Sequence, residues 1–415
     1  MKLTDAAVIA GMLMTVAVGR AEQLAWKAAL AELRAGHPVL SAAAETVTAA
    51  ALEVDIARAR FFPRVGASAS AGVSGDFSGD PVVERSLGAT GSLSLFSGFA
   101  TTAQLRLRQY ELAIARERYR RTLSDVVYAL KRSYIEAVWA RENIALTRSI
   151  EQRRRQNLEL IRIKYEAGRE DRGSLMRVEA DIAQTEYETA AAIRRSELAT
   201  INLLRDLGRS VRSGETVEPA GGLETPAPPE PVDPGNLAVR TPEYRISALS
   251  ADMARERLTS ARAPLWPSVG ISAGVGRSAS GSFPESSRWN AGITISHALL
   301  SGGADLHAAR SAEAARRESE LVLQAQLSRS AASVAQAWNA FQDAVQNVSV
   351  REKYLDSSKT QADIVQQKYL SGIATYQEWY TTQNDVIAAQ RALLAARRDA
   401  ALAEAAYRNL LGLDE

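Results

Sequence analysis

The chain contains no cysteine. That excludes disulfides, thiolate metal sites, a cysteine nucleophile and a lipid anchor carried on an N-terminal cysteine. Aromatic residues make up only 6% of the chain, while Ala, Arg, Glu, Gln and Leu dominate long stretches. Such a bias favours extended helices packed through small side chains over ordinary globular domains. Neither sign of charge prevails: the net charge is +2, which gives no pull toward nucleic acid. Beyond the N-terminus no run is long and apolar enough for a membrane helix, which needs about 20 residues. Any passage through a bilayer must therefore use a closed β-barrel. Proline is missing from Val82 to Glu218 and from Glu285 to the end. Long unbroken helices can form there, since an interior proline costs about 3 kcal/mol. There is no Gly-x-Ser-x-Gly, phosphate loop or dinucleotide fingerprint, and His37, His297 and His307 lack ligand spacing. No enzyme activity, cofactor or metal is expected.

What is present is a duplication. Pro63-Arg64-Val65-Gly66-Ala67-Ser68-Ala69 answers Pro267-Ser268-Val269-Gly270-Ile271-Ser272-Ala273, with numbering offset by 267 − 63 = 204. The same offset pairs Pro38 with Pro242, Leu95, Ser97 and Gly98 with Leu299, Ser301 and Gly302, and Lys164, Tyr165 and Gly168 with Lys368, Tyr369 and Gly372. Residues 1–21 read as a signal peptide, with Lys2, an apolar run from Ala6 to Val18, and Gly19-Arg20-Ala21 as the cleavage signal. Repeat 1 is placed at 22–208 and repeat 2 at 241–415, joined by an extended Pro-rich linker at 209–240.

Each repeat reads as helix, strand pair, long helix, sharp turn, helix. The strand pairs are expected within 62–96 and 268–299. Val269, Ile271, Ala273 and Val275 alternate with Ser268, Gly270, Ser272 and Gly274, the period-two signal of a half-buried strand. The long helices are expected at 99–166 and 303–370, about 100 Å each, followed by helices at 174–207 and 376–411. Apolar residues recur every seventh position: Leu327, Val334, Phe341, Val348, Leu355, Ala362, Tyr369. The first-half equivalents are Leu123, Leu130, Ala137, Ile144, Glu151, Leu158 and Tyr165, with Glu151 alone breaking the pattern. That spacing implies antiparallel left-handed coiled coils.

The fold class is thus an α+β membrane protein. Four strands cannot close a barrel, and an open edge in lipid leaves backbone groups unsatisfied. A homotrimer supplies 4 × 3 = 12 strands, which gives a transmembrane barrel on a helical cylinder. A periplasmic adaptor or a structural coiled-coil protein is the competing reading; the tandem hairpins, each behind a strand pair, argue against both.

Leu24-Ala25-Trp26-Lys27-Ala28-Ala29-Leu30 followed by Gly36-His37-Pro38, Ala57-Arg58-Ala59 followed by Pro63, and Leu95-Phe96-Ser97-Gly98 resemble the opening, first-strand approach and strand exit of TolC-like outer-membrane efflux proteins. The resemblance covers the whole mature chain in both halves. It implies a passive exit duct in the outer membrane of a Gram-negative bacterium, in contact with outer-membrane lipid and extending into the periplasm. It also implies a tripartite efflux or type I secretion system with a periplasmic adaptor (membrane fusion protein) and an inner-membrane pump.

Candidate site residues follow from these readings. Lys164, Tyr165, Gly168, Lys368, Tyr369 and Gly372 form the two helix tips; glycine there ends a helix, and the resemblance adds adaptor docking. The resemblance also places a pore-entrance acid at Glu378, with the family's second acid falling on Thr381 and its constriction arginine on Ala374. The plainer reading of Glu378 is an exposed helical glutamate. Phe61, Phe62, Trp266 and Trp289 are candidates for membrane-interface belts, or for ordinary packing at strand ends.

Overall fold

The computed structural model describes residues 22–75, 77, 81–209, 217–231, 233–280 and 286–413. The signal peptide expected at 1–21 lies outside the described residues. The elements run β1 (Glu22–Leu24), α1 (Trp26–Gly36), α2 (Pro38–Ala59), β2 (Arg64–Ser74), β3 (Val82–Ser97), α3 (Ala100–Glu166), α4 (Arg172–Asp206), β4 (Val217–Pro219), α5 (Pro234–Ala238), α6 (Pro242–Arg262), β5 (Ser268–Ser280), β6 (Ser286–Ser296), α7 (Ala304–Leu370) and α8 (Tyr376–Leu410). The chain is mostly helix with a few strands.

The proline-free stretches are helical. α3 and α7 hold 67 residues each. α4 and α8 hold 35 residues each. Ala100 and Ala304, where the long helices begin, are related by the offset of the duplication, and so are Arg172 and Tyr376. Among the described residues, no helix is apolar enough to cross a membrane. Glycine sets where α3 begins. Gly98 has φ +60, and a Cβ there would lie 2.3 Å from the Ala263 carbonyl oxygen, so no other residue fits.

The chain divides into two compact units, and each draws on both halves of the sequence. The first comprises described residues 38–126, 229–340 and 406–413. It contains a four-stranded antiparallel sheet in the order β2-β3-β5-β6. The pairing aligns one face across all four strands. Ala67, Ala89, Val275 and Trp289 lie in adjacent register, as do Val65, Gly91, Ala273 and Ala291. Leu93, Ile271 and Ile293 continue the same face. The other face carries Ser68, Gly88, Gly276 and Arg288, then Gly66, Thr90, Gly274 and Asn290. One face is apolar and the other small and polar. A bulge between Ser94 and Phe96 lets Leu95 slip out of register. In the same unit, Leu107 and Ile114 of α3 pack on Met253 of α6.

The second unit comprises described residues 22–37, 127–228 and 341–405. Its core follows the seven-residue spacing: Phe341, Val348, Leu355, Ala362 and Tyr369 of α7 are all buried. Val348 and Leu355 meet Leu393, Ala396 and Ala400 of α8. Glu151, the residue that breaks the pattern on α3, has a specific partner. Its carboxylate accepts hydrogen bonds from Arg155 (2.9 Å) and from Thr189 of α4 (3.0 Å).

Several boundaries differ from the sequence expectation. β2 starts at Arg64, so Phe61 and Phe62 lie in the turn before it; Pro63 has no N–H to give to a ladder. β6 ends at Ser296, which leaves Leu299 and Leu300 outside the sheet. The linker expected to be extended contains β4 and α5. β4 pairs in parallel with β1. The Tyr134 hydroxyl donates to the carbonyls of Leu24 (3.0 Å) and Ala220 (2.7 Å), and Arg141 donates to those of Pro219 and Gly221. Such short strands carry too little alternation to be read from sequence.

Candidate docking tips and pore entrance

The two tips lie in the second unit and share a backbone solution. α3 stops at Glu166 and Gly168 takes φ +69; α7 stops at Leu370 and Gly372 takes φ +78. The amides of Arg169 and Ile373 return to the carbonyls of Lys164 and Lys368, each at 2.8 Å. Both are glycine-terminated C-caps.

The side chains then diverge. Tyr369 is buried and its ring stacks on Trp379, centroids 5.0 Å apart. Its hydroxyl donates to Glu170 at 2.6 Å. The Lys164 ammonium sits 3.5 Å from the Tyr369 ring centroid and donates to the Tyr369 carbonyl at 3.0 Å. Burial pulls the Lys164 pKa below the usual lysine value, and burial pushes the Tyr369 pKa far up. Ile161, Val178, Val365 and Trp379 complete the cluster. Tyr165 and Lys368, by contrast, are exposed. The structure thus brings Lys164 and Tyr369 together across the two tips and leaves their counterparts on the surface.

The helices after the tips start differently. Asp171 caps α4 by accepting from the Ser174 amide at 2.7 Å. Glu378 belongs to a capping box at the start of α8. Its carboxylate accepts from the Thr375 amide (2.8 Å) and hydroxyl (3.0 Å), while the Thr375 hydroxyl accepts from the Glu378 amide (3.3 Å). The bond from the Thr375 amide is the main cause that lowers the Glu378 pKa. Glu378 is exposed.

Behind the tips lies a polar network that the sequence reading missed. Arg154 of α3 pairs with Asp181 of α4 at 3.0 Å and donates to Asn384 of α8. The Tyr380 hydroxyl donates to Asp181 at 3.2 Å and accepts from Arg177 at 3.0 Å. Tyr376 donates to the Ser174 carbonyl at 3.4 Å, and burial, with Tyr380 beside it, pushes its pKa up to about 12. The signal available in the sequence was the aromatic cluster Tyr376, Trp379 and Tyr380 just beyond Gly372. Aromatics packed so closely stand out in a chain so poor in them.

The candidate belt aromatics lie in the first unit. Trp266 precedes β5 and packs edge-on against Phe99 at 6.2 Å, which packs on Phe96 at 5.3 Å. Trp289 lies on the apolar face of the sheet, opposite Val275. Phe61, Phe62, Trp266 and Trp289 are all exposed. Among the described residues, no group of three or more His, Asp or Glu is gathered to hold a metal ion.

A four-stranded antiparallel sheet with one apolar and one small-polar face, together with helices of 67 residues ending in glycine turns, defines a mostly helical protein of long hairpins and a few strands. The family profile described as outer membrane efflux protein matches residues 29–209 and 234–413, and the chain belongs to that family. It is 25% identical over 369 residues to protein CyaE of Bordetella pertussis, covering 85% of this chain and 77% of that one. It is 23% identical over 311 residues to alkaline protease secretion protein AprF of Pseudomonas aeruginosa, covering 72% of this chain and 64% of that one. Its fold is similar to that of CusC, whose crystal structures address folding and transmembrane channel formation. That match has a TM-score of 0.83 at 18% identity and covers 94% of this chain and 92% of the other. The protein is an outer-membrane exit duct that extends into the periplasm, and it is not an enzyme.

Proposed function

We propose that three copies pool their strands into one 12-stranded barrel and their helices into a cylinder. The observation that carries this reading is the sheet. It has an apolar face and a small-polar face, and β2 and β6 are free edges that need partners in lipid. Trp266 and Trp289 add support. The register sets Trp289 level with Val275, nine positions beyond Trp266 and roughly 30 Å along the strand. That is near the height of a lipid-facing band between two aromatic girdles. Phe61 and Phe62 are assigned to the girdle at the Trp266 end.

The same reading takes 22–208 and 241–415 as two repeats joined by the 209–240 linker, supported by helices of equal length at one offset. Proteins of this family work with a periplasmic adaptor and an inner-membrane pump. The two tips, with Lys164, Tyr165, Gly168, Lys368, Tyr369 and Gly372, are assigned to adaptor docking. AprF is by name a secretion protein, which places type I protein secretion beside efflux among the assignments for this chain. Three copies of Glu378 around the threefold axis form an anionic ring at the pore entrance.

The test is the mass in mild detergent followed by single-channel recording. A mass of three chains with cation-selective conductance is the expected result, and Glu378→Gln reduces that selectivity. A detergent-free soluble monomer overturns the barrel, and unchanged selectivity in Glu378→Gln removes the ring.

A further inference from the structure

In the second unit, the hairpin of α3 and α4 holds a cavity of about 500 Å³. Small side chains leave room for it: Ala129, Ser133 and Ala140 on α3 and Ala199 on α4. Ser133 turns its hydroxyl back to the Leu130 carbonyl at 3.0 Å, so it needs no partner in the cavity. Tyr128, Trp139 and Leu198 supply apolar walls. Such a volume, with aromatic surface and a few polar groups, is that of a small-molecule site.

The charges around the cavity do not balance. Arg205 donates to Asp206 at 2.8 Å, and Glu136 lies 3.9 Å from Arg398 of α8. Both carboxylates that line the cavity thus already have a cation. Arg132 of α3 and Arg195 of α4 line it too, and neither has a carboxylate partner among the described residues. The Trp139 indole N–H is buried and has no acceptor among the described residues. Arg398 lies over the same ring, 4.9 Å from its centroid, and holds the indole in place. The second repeat does not reproduce this set. The duplication sets Gln336 against Arg132, Asp343 against Trp139 and Asp399 against Arg195. One positive charge is lost, another is reversed and the indole is gone. The cationic, aromatic lining is therefore a property of the first repeat and not of the fold that both repeats share.

We propose that this cavity binds an aromatic carboxylic acid in its anionic form. Arg132 and Arg195 take the carboxylate, whose two oxygens match the planar guanidinium fork. The ring system of the ligand lies against Tyr128, Trp139 and Leu198. The ligand also brings the acceptor that the indole N–H lacks. Once bound, it ties α3 to α4 and stabilises the hairpin in proportion to its occupancy. Every residue involved comes from one chain, so the site is independent of the trimer reading.

The test titrates the full chain in mild detergent with naphthoate by isothermal calorimetry. The expected result is one saturable site per chain with a Kd of about 10–100 μM. Arg132→Gln and Arg195→Gln should each weaken it by about tenfold. Both arginines are exposed, so circular dichroism of the ligand-free variants should match that of the parent chain. Trp139→Phe keeps an aromatic ring but removes the N–H, and should weaken binding by roughly threefold or more. Arg194→Gln, next in sequence but outside the lining, should leave binding unchanged. Uptake that does not saturate, or that is the same in the chain carrying both Arg132→Gln and Arg195→Gln, is partition into detergent and overturns the site. Equal binding of the neutral naphthamide overturns the role of charge. Equal binding of inorganic phosphate overturns the role of the aromatic walls. A chain that binds naphthoate as a monomer keeps this site while the trimer reading falls.

Discussion

The two tips carry the same motif, Lys-Tyr-x-x-Gly, at equivalent positions of the duplication, yet only the second tyrosine is buried. Tyr165 is exposed; Tyr369 is stacked on Trp379, bonded to Glu170 and covered by Lys164. The backbone is common to both because the glycine turn is local. The side-chain fates differ because Trp379 and Glu170 have no like counterparts: the duplication sets Leu175 against Trp379 and Ala374 against Glu170. A duplicated sequence thus repeats its turns and diversifies its contacts, and the second tip is the one tied into the bundle.

The largest expected effect tests that asymmetry directly. Tyr369→Ala empties a buried aromatic site and should cost about 3–4 kcal/mol, while Tyr165→Ala should cost less than about 0.5 kcal/mol. Amide hydrogen exchange at the tips reads this as a loss of protection of roughly a hundredfold or more in the first variant only. Equal losses would break the comparison. Arg154→Ala comes next. The Arg154 and Asp181 side chains are only 11% and 17% exposed, so Asp181 loses a partner it cannot replace with water. A cost of about 2–3 kcal/mol is expected, read as faster exchange at the start of α8.

Smaller and symmetric effects follow for the glycines. Gly168→Ala and Gly372→Ala both place a Cβ at positive φ with nothing within 4 Å, so backbone strain alone acts. Each should cost about 1 kcal/mol, and unequal costs would show that the turns themselves differ. The last effect depends on pH. The Glu378 pKa is lower in the fold than in the unfolded chain, because the carboxylate accepts the Thr375 amide. Its contribution is complete above the ordinary glutamate range and is lost as the pH falls through the lowered value. Amide exchange at the first turn of α8 should therefore accelerate on acidification. Glu378→Gln should remove that pH dependence.

Much of this architecture was legible because it depends on local rules. Missing prolines announce long helices, glycines announce their ends, and period-two alternation announces strands. The buried α7 residues at intervals of seven agree with the spacing read from sequence. Other features were hidden because they depend on partners distant in sequence. Nothing in Glu22–Leu24 foretells a pairing with Val217–Pro219, nor that Tyr134 holds the carbonyls on both sides. Thr375 and Glu378, three residues apart at a helix start, form a capping box that is readable in sequence. Arg154, Asp181 and Tyr380 were invisible singly, since charged and aromatic residues on helices are common and only the fold brings three helices to one point.

The free margins of the sheet have a consequence for biogenesis. β2, from Arg64 to Ser74, has a single charged residue and no proline; β6, from Ser286 to Ser296, likewise has only Arg288. Sheet margins without charges or prolines recruit any available strand. A subunit whose strand edges are unpaired is therefore a sticky species, and under the proposed trimer its escape from misassembly is a race between finding two sisters and meeting a stranger. Because that encounter depends on concentration, maturation should accelerate steeply with expression up to the point where faulty pairings outrun correct ones.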